Sequence, residues 1–342
     1  MATEASTPSG AEDPSQFLRG VLPAVSWSAG SRLPPAATAK LTIDTVRAAR
    51  VPAAVHFAFT GTAKAVEVVA EAGERTSVPA PALPEAFVAR VPGQAAVVVP
   101  LPAGGQPARI PLPERDPAAV VSLYLPEAVE LQVSALSAVD GDIAPAPRGP
   151  LWVVYGDSIS QGWSVTEPGL AWPSLVAAEL GLDLVNLGFA GSARGELLMA
   201  DAVGNSGADA VALAWGTNAW SSLPTDAAVI GGTMRLFLTA LRQGLPDAPV
   251  VVVSPIVRPS GEDTGNRFGA THSDLRAALE DAVLRFAADT GDRRLTLVPG
   301  RDLVPAGQLV DGIHPGDDGQ RSLAAGVAPH VAAGLGVSAE RR

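Results

Sequence analysis

Five short apolar runs follow one another after Pro150: LWVVY (151–155), LDLVNLG (182–188), ADAVALAW (208–215), PVVVVSP (249–255) and RLTLVPG (294–300). Stretches long enough for helices separate most of them, near 171–181, 225–244 and 272–290, and another follows near 318–334. A strand that is apolar throughout must be covered on both faces, and helical crossovers between parallel strands provide that cover. The expected fold of this half is therefore α/β, a parallel sheet with helices on both sides. Ligands of such sheets bind beyond the carboxyl ends of the strands, where the strand order reverses.

The first half has another texture. From about Gly20 to Asp140 short β-rich runs alternate with Pro/Gly turns: KLTID (40–44), AVHFAFTG (54–61), AVEVVAEA (65–72), AFVARV (86–91), AAVVVPL (95–101), VVSLYL (120–125) and VELQVSAL (129–136). Several alternate apolar and polar residues, as half-buried antiparallel strands do, and the spacing predicts a jelly-roll-like β-sandwich. The expected organisation is a disordered tail (1–17), a sandwich accessory domain (18–141), a proline-rich linker DIAPAPRGP (142–150), the α/β domain (151–336) and a short C-terminal tail (337–342).

Composition excludes several classes of function. The 342 residues are 47% hydrophobic and 17% charged, which suits about two globular domains. No apolar run approaches the ~20 residues that span a bilayer. A net charge of −11, with only Lys40 and Lys64 as lysines, argues against nucleic acid and anionic membranes as partners. With no cysteine, disulfides, zinc–thiolate sites and thiol nucleophiles are excluded. The start MATEASTPSGAEDPSQ has neither a basic cluster nor an apolar stretch, so the expected location is the cytoplasm, or outside the cell if a leader has been removed.

The chemistry concentrates at strand ends. GDSI (156–159) closes the first apolar run and places Ser158 where it neither packs in the core nor joins the sheet. A serine hydroxyl becomes a nucleophile when a base takes its proton and a carboxylate orients that base. LVDGIHPGDDG offers both: Asp311 stands three residues before His314, a spacing that lets the carboxylate take the Nδ1 proton while Nε2 faces outward. Oxyanion donors are available in NLGFAGS (186–192), with Gly191, and in WGTNAW (215–220), with Asn218, beside the Ser158 amide. No His or carboxylate cluster has metal-ligand spacing, so neither metal nor other cofactor is expected. His56 reads as a packed sandwich residue and His272 as the opening of a helix; neither is expected in catalysis.

GDSI (156–159), N-x-G-x-x-G (186–191), G-x-N (216–218) and D-x-x-H (311–314), in this order, resemble the SGNH, or GDSL, hydrolase family over roughly residues 151–335. The resemblance implies a flavodoxin-like sheet, with Ser158 as nucleophile, His314 as base and Asp311 as its orienter. It also implies an oxyanion hole of Ser158, Gly191 and Asn218. One departure is Ala219, where many members carry Asp after the Asn. A sandwich ahead of the catalytic domain is similar to two-domain members, among them carbohydrate acetyl esterases and a salicylyl-CoA acyltransferase.

The expected activity is hydrolysis of a small O-acyl ester, an acetylated sugar or other metabolite, through an acyl-enzyme. The alternatives are acyl transfer from an activated donor such as acyl-CoA to an alcohol, and an inactive protein that binds a carbohydrate or a partner. Trp163 and Trp220, on loops beside the reactive motifs, are candidate pocket walls, while Trp172 and Trp215 read equally well as core. Arg194 and Arg258 are candidate ligands for a substrate carboxylate or phosphate. The Gly-rich stretch 258–272 has the composition of a lid.

Overall fold

A computed structural model describes residues 12–23, 25, 30–75 and 83–337. Of the expected tails, residues 1–11 and 338–342 lie outside the described residues. Residues 12–17 are built into the fold instead: Glu12 pairs with Leu136, and Phe17 is buried. An aromatic ring with a place in the core outweighs the polar composition around it.

The N-terminal half forms two antiparallel sheets. One contains β1 (Leu18–Arg19), β2 (His56–Thr60), β4 (Ala86–Arg90), β5 (Val97–Pro100), β7 (Val121–Tyr124) and β9 (Ala144–Pro145). The other contains β3 (Ala65–Arg75), β6 (Ala108–Pro111) and β8 (Val129–Val139). Phe57, Phe59, Phe87, Val66, Val68, Ile110 and Leu136 fill the space between them. Within the expected linker, β9 pairs with β2, and Arg148 reaches Asp183 at 3.1 Å, so this stretch is sewn to both halves.

The run KLTID is not a strand. Beyond the short helix α1 (Pro35–Thr38), residues Ile43–Ala49 form helix α2, with Asp44 in its first turn and Thr45 and Ala49 buried one turn apart. The apparent β pattern of Leu41-Thr42-Ile43 is overridden by the helix-forming Arg47-Ala48-Ala49 that follows, and Ile43 is left exposed. Between β1 and β2 the chain also reaches the other half: Leu22, Leu33 and Ala49 join the core of the α/β half, while Val21 and Val55 stay with the sandwich core.

That half is a five-stranded parallel sheet of β10 (Leu151–Gly156), β11 (Asp183–Gly188), β12 (Ala210–Ala214), β13 (Val250–Val253) and β14 (Leu295–Val298). Its order, β11-β10-β12-β13-β14, reverses at β10. Alternation along each strand divides the core. Val153, Tyr155, Val211, Leu213 and Val252 face a layer containing α5 (Leu197–Gly204), α6 (Ala227–Gly244) and α7 (His272–Thr290). Trp152, Val154, Ala212, Val251 and Val253 face α4 (Trp172–Leu180) and α8 (Asp317–Leu335). Trp172 and Trp215 are both core residues. Helix α5 is an element that the helical periodicity did not single out.

The four-residue helix α3 (Ser158–Gln161) crosses directly over the paired glycines Gly156 and Gly188. A Cβ on Gly156 would lie 2.6 Å from Ser160 Cβ, and one on Gly188 would lie 2.8 Å from Gln161 Cα. Neither strand end tolerates a side chain. Gly188→Ala should therefore destabilise the fold by about 1–3 kcal/mol, read as a lowered urea midpoint at unchanged slope.

Candidate active site

Ser158 is the first residue of α3, immediately beyond β10 at the strand-order reversal. Asp157 caps the helix: its Oδ1 accepts from the Ile159 amide at 3.1 Å and its Oδ2 from the Thr217 amide at 3.3 Å. One buried carboxyl thus fixes the Ser158 turn and the Asn218 turn against each other. Burial pushes the Asp157 carboxyl up, and these hydrogen bonds offset part of that effect.

His314 lies between β14 and α8, in a turn closed by Val310 N–H donating to His314 O at 2.9 Å. Its Nε2 is 2.8 Å from Ser158 Oγ, and its Nδ1 is 2.7 Å from Asp311 Oδ2. An ionised carboxylate only accepts, so Nδ1 donates and Nε2 is left to accept the serine proton. Asp311 Oδ1 also accepts from the His314 and Ile313 amides, at 2.8 and 3.0 Å. Partial burial pushes the Asp311 carboxyl up, but hydrogen bonds from the His314 ring and backbone outweigh it and hold the group below the usual carboxylate range.

Three donors surround the same rim. The Ser158 and Gly191 amides make no hydrogen bond among the described residues, and Asn218 Nδ2 makes one long contact, 3.4 Å, to Ala193 O. Gly191 has φ +72°, a left-handed conformation natural to glycine, in the loop after β11. That loop is tied to α3 by the Gln161 side chain, whose Oε1 accepts from the Ala190 amide at 2.8 Å. The Asn of N-x-G-x-x-G has a different role: Asn186 is fully buried and joins the Ser160 carbonyl to the Gly188 amide, at 2.7 and 2.8 Å. Ala219, where an aspartate is usual, leaves its loop to Asn266, whose Nδ2 donates to Ala219 O and Thr225 O at 3.3 and 2.8 Å.

Ser158, His314, Gly191 and Asn218 open on one cleft of about 640 Å³. Trp163 and Arg258 line it as well, and the Trp163 ring centroid is 6.2 Å from that of His314. Two other candidates lie elsewhere. Trp220 does not line the cleft; it carries the Arg258 guanidinium 4.6 Å above its ring and donates to Thr264 O at 2.8 Å. Arg194 is paired to Asp44 and donates to Ser192 O at 2.9 Å, so its charge is already satisfied. Of the stretch expected as a lid, Arg258 lines the cleft; the rest is tied down beside it, where Arg276 grips the Glu262 carboxylate at 2.6 and 2.9 Å and Asn266 holds the middle.

Sequence reasoning missed the contribution of the N-terminal half. Asp44, Arg47, Ala48 and Val51 from α2 and the residues just after it, with Glu130 of β8, form the opposite wall. Arg32 secures that wall. Its guanidinium is wholly buried and donates to the carbonyls of Asn186, Gly188 (3.0 Å) and Ala48 (2.6 Å), joining α2 to the end of β11. Burial pushes the group down to about 9, partly offset by Glu127, and it keeps its charge at neutral pH. No periodicity marks such a residue; an Arg between apolar neighbours in GSRLPP was the only signal.

A hydroxyl, an imidazole and a carboxylate in series, set at the reversal point of a parallel sheet, belong to a serine hydrolase acting on ester bonds. The chain is a member of the GDSL-like lipase/acylhydrolase family, whose model matches residues 151–332. No curated protein sequence matches it. Among solved structures it is similar to a GDSL-like lipase from Bacteroides ovatus ATCC 8483, with 21% identity, TM-score 0.79, and 95% of this chain and 98% of that one covered. The salicylyl-acyltransferase SsfX3 from a tetracycline biosynthetic pathway is comparable, at 21% identity, TM-score 0.78 and coverage of 95% and 96%. A family two carbohydrate esterase from Clostridium thermocellum, in complex with cellohexaose, has 16% identity, TM-score 0.59 and coverage of 82% and 92%. These likenesses extend over both halves and establish the fold. Among the described residues no helix is long and apolar enough to cross a membrane, and no three metal-ligating side chains are grouped.

The cluster of Glu262, His272 and Arg276 also predicts a pH response. Burial pushes His272 down to about 4, with the Arg276 charge adding to the effect, while Glu262 falls to about 2 because its bonds to Arg276 and others outweigh burial. Above the unfolded histidine value near 6.5, neither state binds the proton. Below it the unfolded chain protonates and the folded one does not, so stability falls from pH 6.5 toward 4. Glu262 stays ionised throughout this window. Urea midpoints at pH 7.5 and 5 should differ, and His272→Gln should flatten the difference by on the order of 1 kcal/mol.

Proposed function

We propose that this protein is an esterase that cleaves a small O-acyl ester through an acyl-enzyme on Ser158. His314 takes the Ser158 proton as Oγ attacks the carbonyl, and Asp311 holds the imidazole and stabilises its charge. The tetrahedral oxyanion accepts hydrogen bonds from the Ser158 and Gly191 amides and from Asn218 Nδ2. His314 then protonates the leaving alcohol, and water attacks the acyl-enzyme by the same route. The reading is carried by the continuous relay from Ser158 Oγ to His314 Nε2, 2.8 Å, and from His314 Nδ1 to Asp311, 2.7 Å.

A second reading is transfer of the acyl group to an alcohol. It is favoured by the cleft, which two walls from different halves of the chain shield and which at about 640 Å³ can hold an acceptor beside the acyl group. Carbohydrate esterases and an acyltransferase share this architecture, so acetylated saccharides and acylated metabolites are both in scope as substrates.

An alkyl fluorophosphonate should label wild type at Ser158 and leave Ser158→Ala unlabelled, as read by intact mass. Ser158→Ala and His314→Ala should each lower kcat for 4-nitrophenyl acetate by about 10⁶. Asn218→Ala should cost about 10²–10³ in kcat with little change in KM. Adding glycerol or methyl glucoside during turnover divides the readings: hydrolysis yields acetate alone, transfer yields the acylated alcohol.

A further inference from the structure

The cleft carries charges that the proposed chemistry leaves unused. Its two carboxylates away from the triad are already engaged: Asp44 with Arg194, and Glu130 with Arg50 at 3.6 Å. Its two arginines are not. Arg47 of α2 and Arg258 form no ion pair among the described residues. Arg47 is exposed at the rim. Arg258 is only 7% exposed, and a buried guanidinium without a carboxylate is costly to maintain.

Arg258 is also held in one orientation. It lies over the Trp220 ring, and its Nη1 donates to Ser221 Oγ at 2.9 Å and to Thr217 O at 3.4 Å. Nη1 is thereby satisfied. Nε is buried without a partner, and Nη2 makes no hydrogen bond among the described residues. Nε is closed off from the cleft, so Nη2, which is neither buried nor bonded, is the nitrogen left to donate a charge-assisted hydrogen bond to an oxygen of a carboxylate or phosphate. The hydroxyls of Ser221 and Ser222 lie at the same wall of the cleft. Burial lowers the Arg258 guanidinium from its ordinary value and the charge of Asp311 opposes this, which places the two groups within each other's field.

We infer that Arg258 forms an anion subsite, and that the ester taken by this cleft carries a carboxylate or phosphate bound on the Asn218 side of the reacting carbonyl. The subsite rests on the esterase reading for its place in turnover, but binding of the anion does not. It also gives Trp220 a role: the ring positions the cation from behind and never meets the substrate.

The test compares matched esters with the full chain at low ionic strength. Mono-4-nitrophenyl succinate against 4-nitrophenyl butyrate places the anion on the acyl side. The pair 4-acetoxyphenyl phosphate and 4-methylphenyl acetate places it on the alcohol side. At least one anionic ester should exceed its neutral partner about 10–100-fold in kcat/KM, mainly through KM, and the pair that shows it identifies the side. Arg258→Gln should bring the ratio close to 1, Arg258→Lys should retain part of it, and added salt should reduce it. Equal use of both members of each pair by wild type, or a ratio unchanged in Arg258→Gln, overturns the subsite. If Arg258→Gln does not fold, the wild-type ratio, its salt dependence and Arg258→Lys decide instead. Should no ester turn over and Ser158 resist labelling, the esterase reading fails. Calorimetric titration of wild type and Arg258→Lys with succinate and phenyl phosphate then decides the subsite: binding weakened in the variant supports it, and absence of millimolar binding to wild type overturns it.

Discussion

The contact between helix α3 and the ends of β10 and β11 sets the geometry of everything around it. Gly156 and Gly188 sit side by side in register; the Ser160 side chain lies on the first and the backbone of Ser160 and Gln161 on the second, with no space for a Cβ. That closeness turns the chain sharply after Gly156 and holds the Ser158 hydroxyl above the sheet edge. Asn186 then fastens the same helix to β11 through its two amide atoms, and Asp157 fastens it to the turn bearing Asn218. The reactive groups therefore come from four separate strand ends but are referred to one short helix. Their preorganisation is a property of backbone packing, which water and substrate do not have to create.

The second constraint lies between the halves of the molecule. Arg32 spends its guanidinium on backbone carbonyls at the end of β11 and of α2, and stacks on Phe189 at 5.0 Å. A positive charge suits both the helix end and the strand end. The arrangement anchors residues 32–49 to the α/β half although they are inserted between two sandwich strands. What a sequence-level division assigns to an accessory domain is thus in part a wall of the catalytic cleft.

The legible and illegible parts of this protein differ in a physical way. The parallel sheet, most of its helices and the reactive set of Ser158, His314 and Asp311 are written locally, as apolar strands ending in short polar motifs. Their convergence follows from the topology alone. Helix α2 was misread because a three-residue alternation resembles a strand, and the pattern extends too briefly to reveal its period. The roles of Trp220 and Arg194 were equally beyond reach: both stand beside the motifs, but their partners, Arg258 and Asp44, are distant in the chain. Proximity in sequence predicts which loop a side chain occupies, not which way it faces. Asn266, which steadies the loop where an aspartate is customary, illustrates the same gap from the other direction.

The origin of the two cleft walls has an evolutionary corollary. Bond-making groups are rooted in the sheet, where almost any substitution disturbs close packing. The facing wall is a seven-residue helix with an exposed outer surface, held by Arg32 on Ala48 O, by Asp44 on Arg194, by Thr45 on Glu196 and by the buried Ala49. Selection can therefore redraw what the cleft admits by editing the exposed residues of this helix, Arg47 among them, without touching the groups that react.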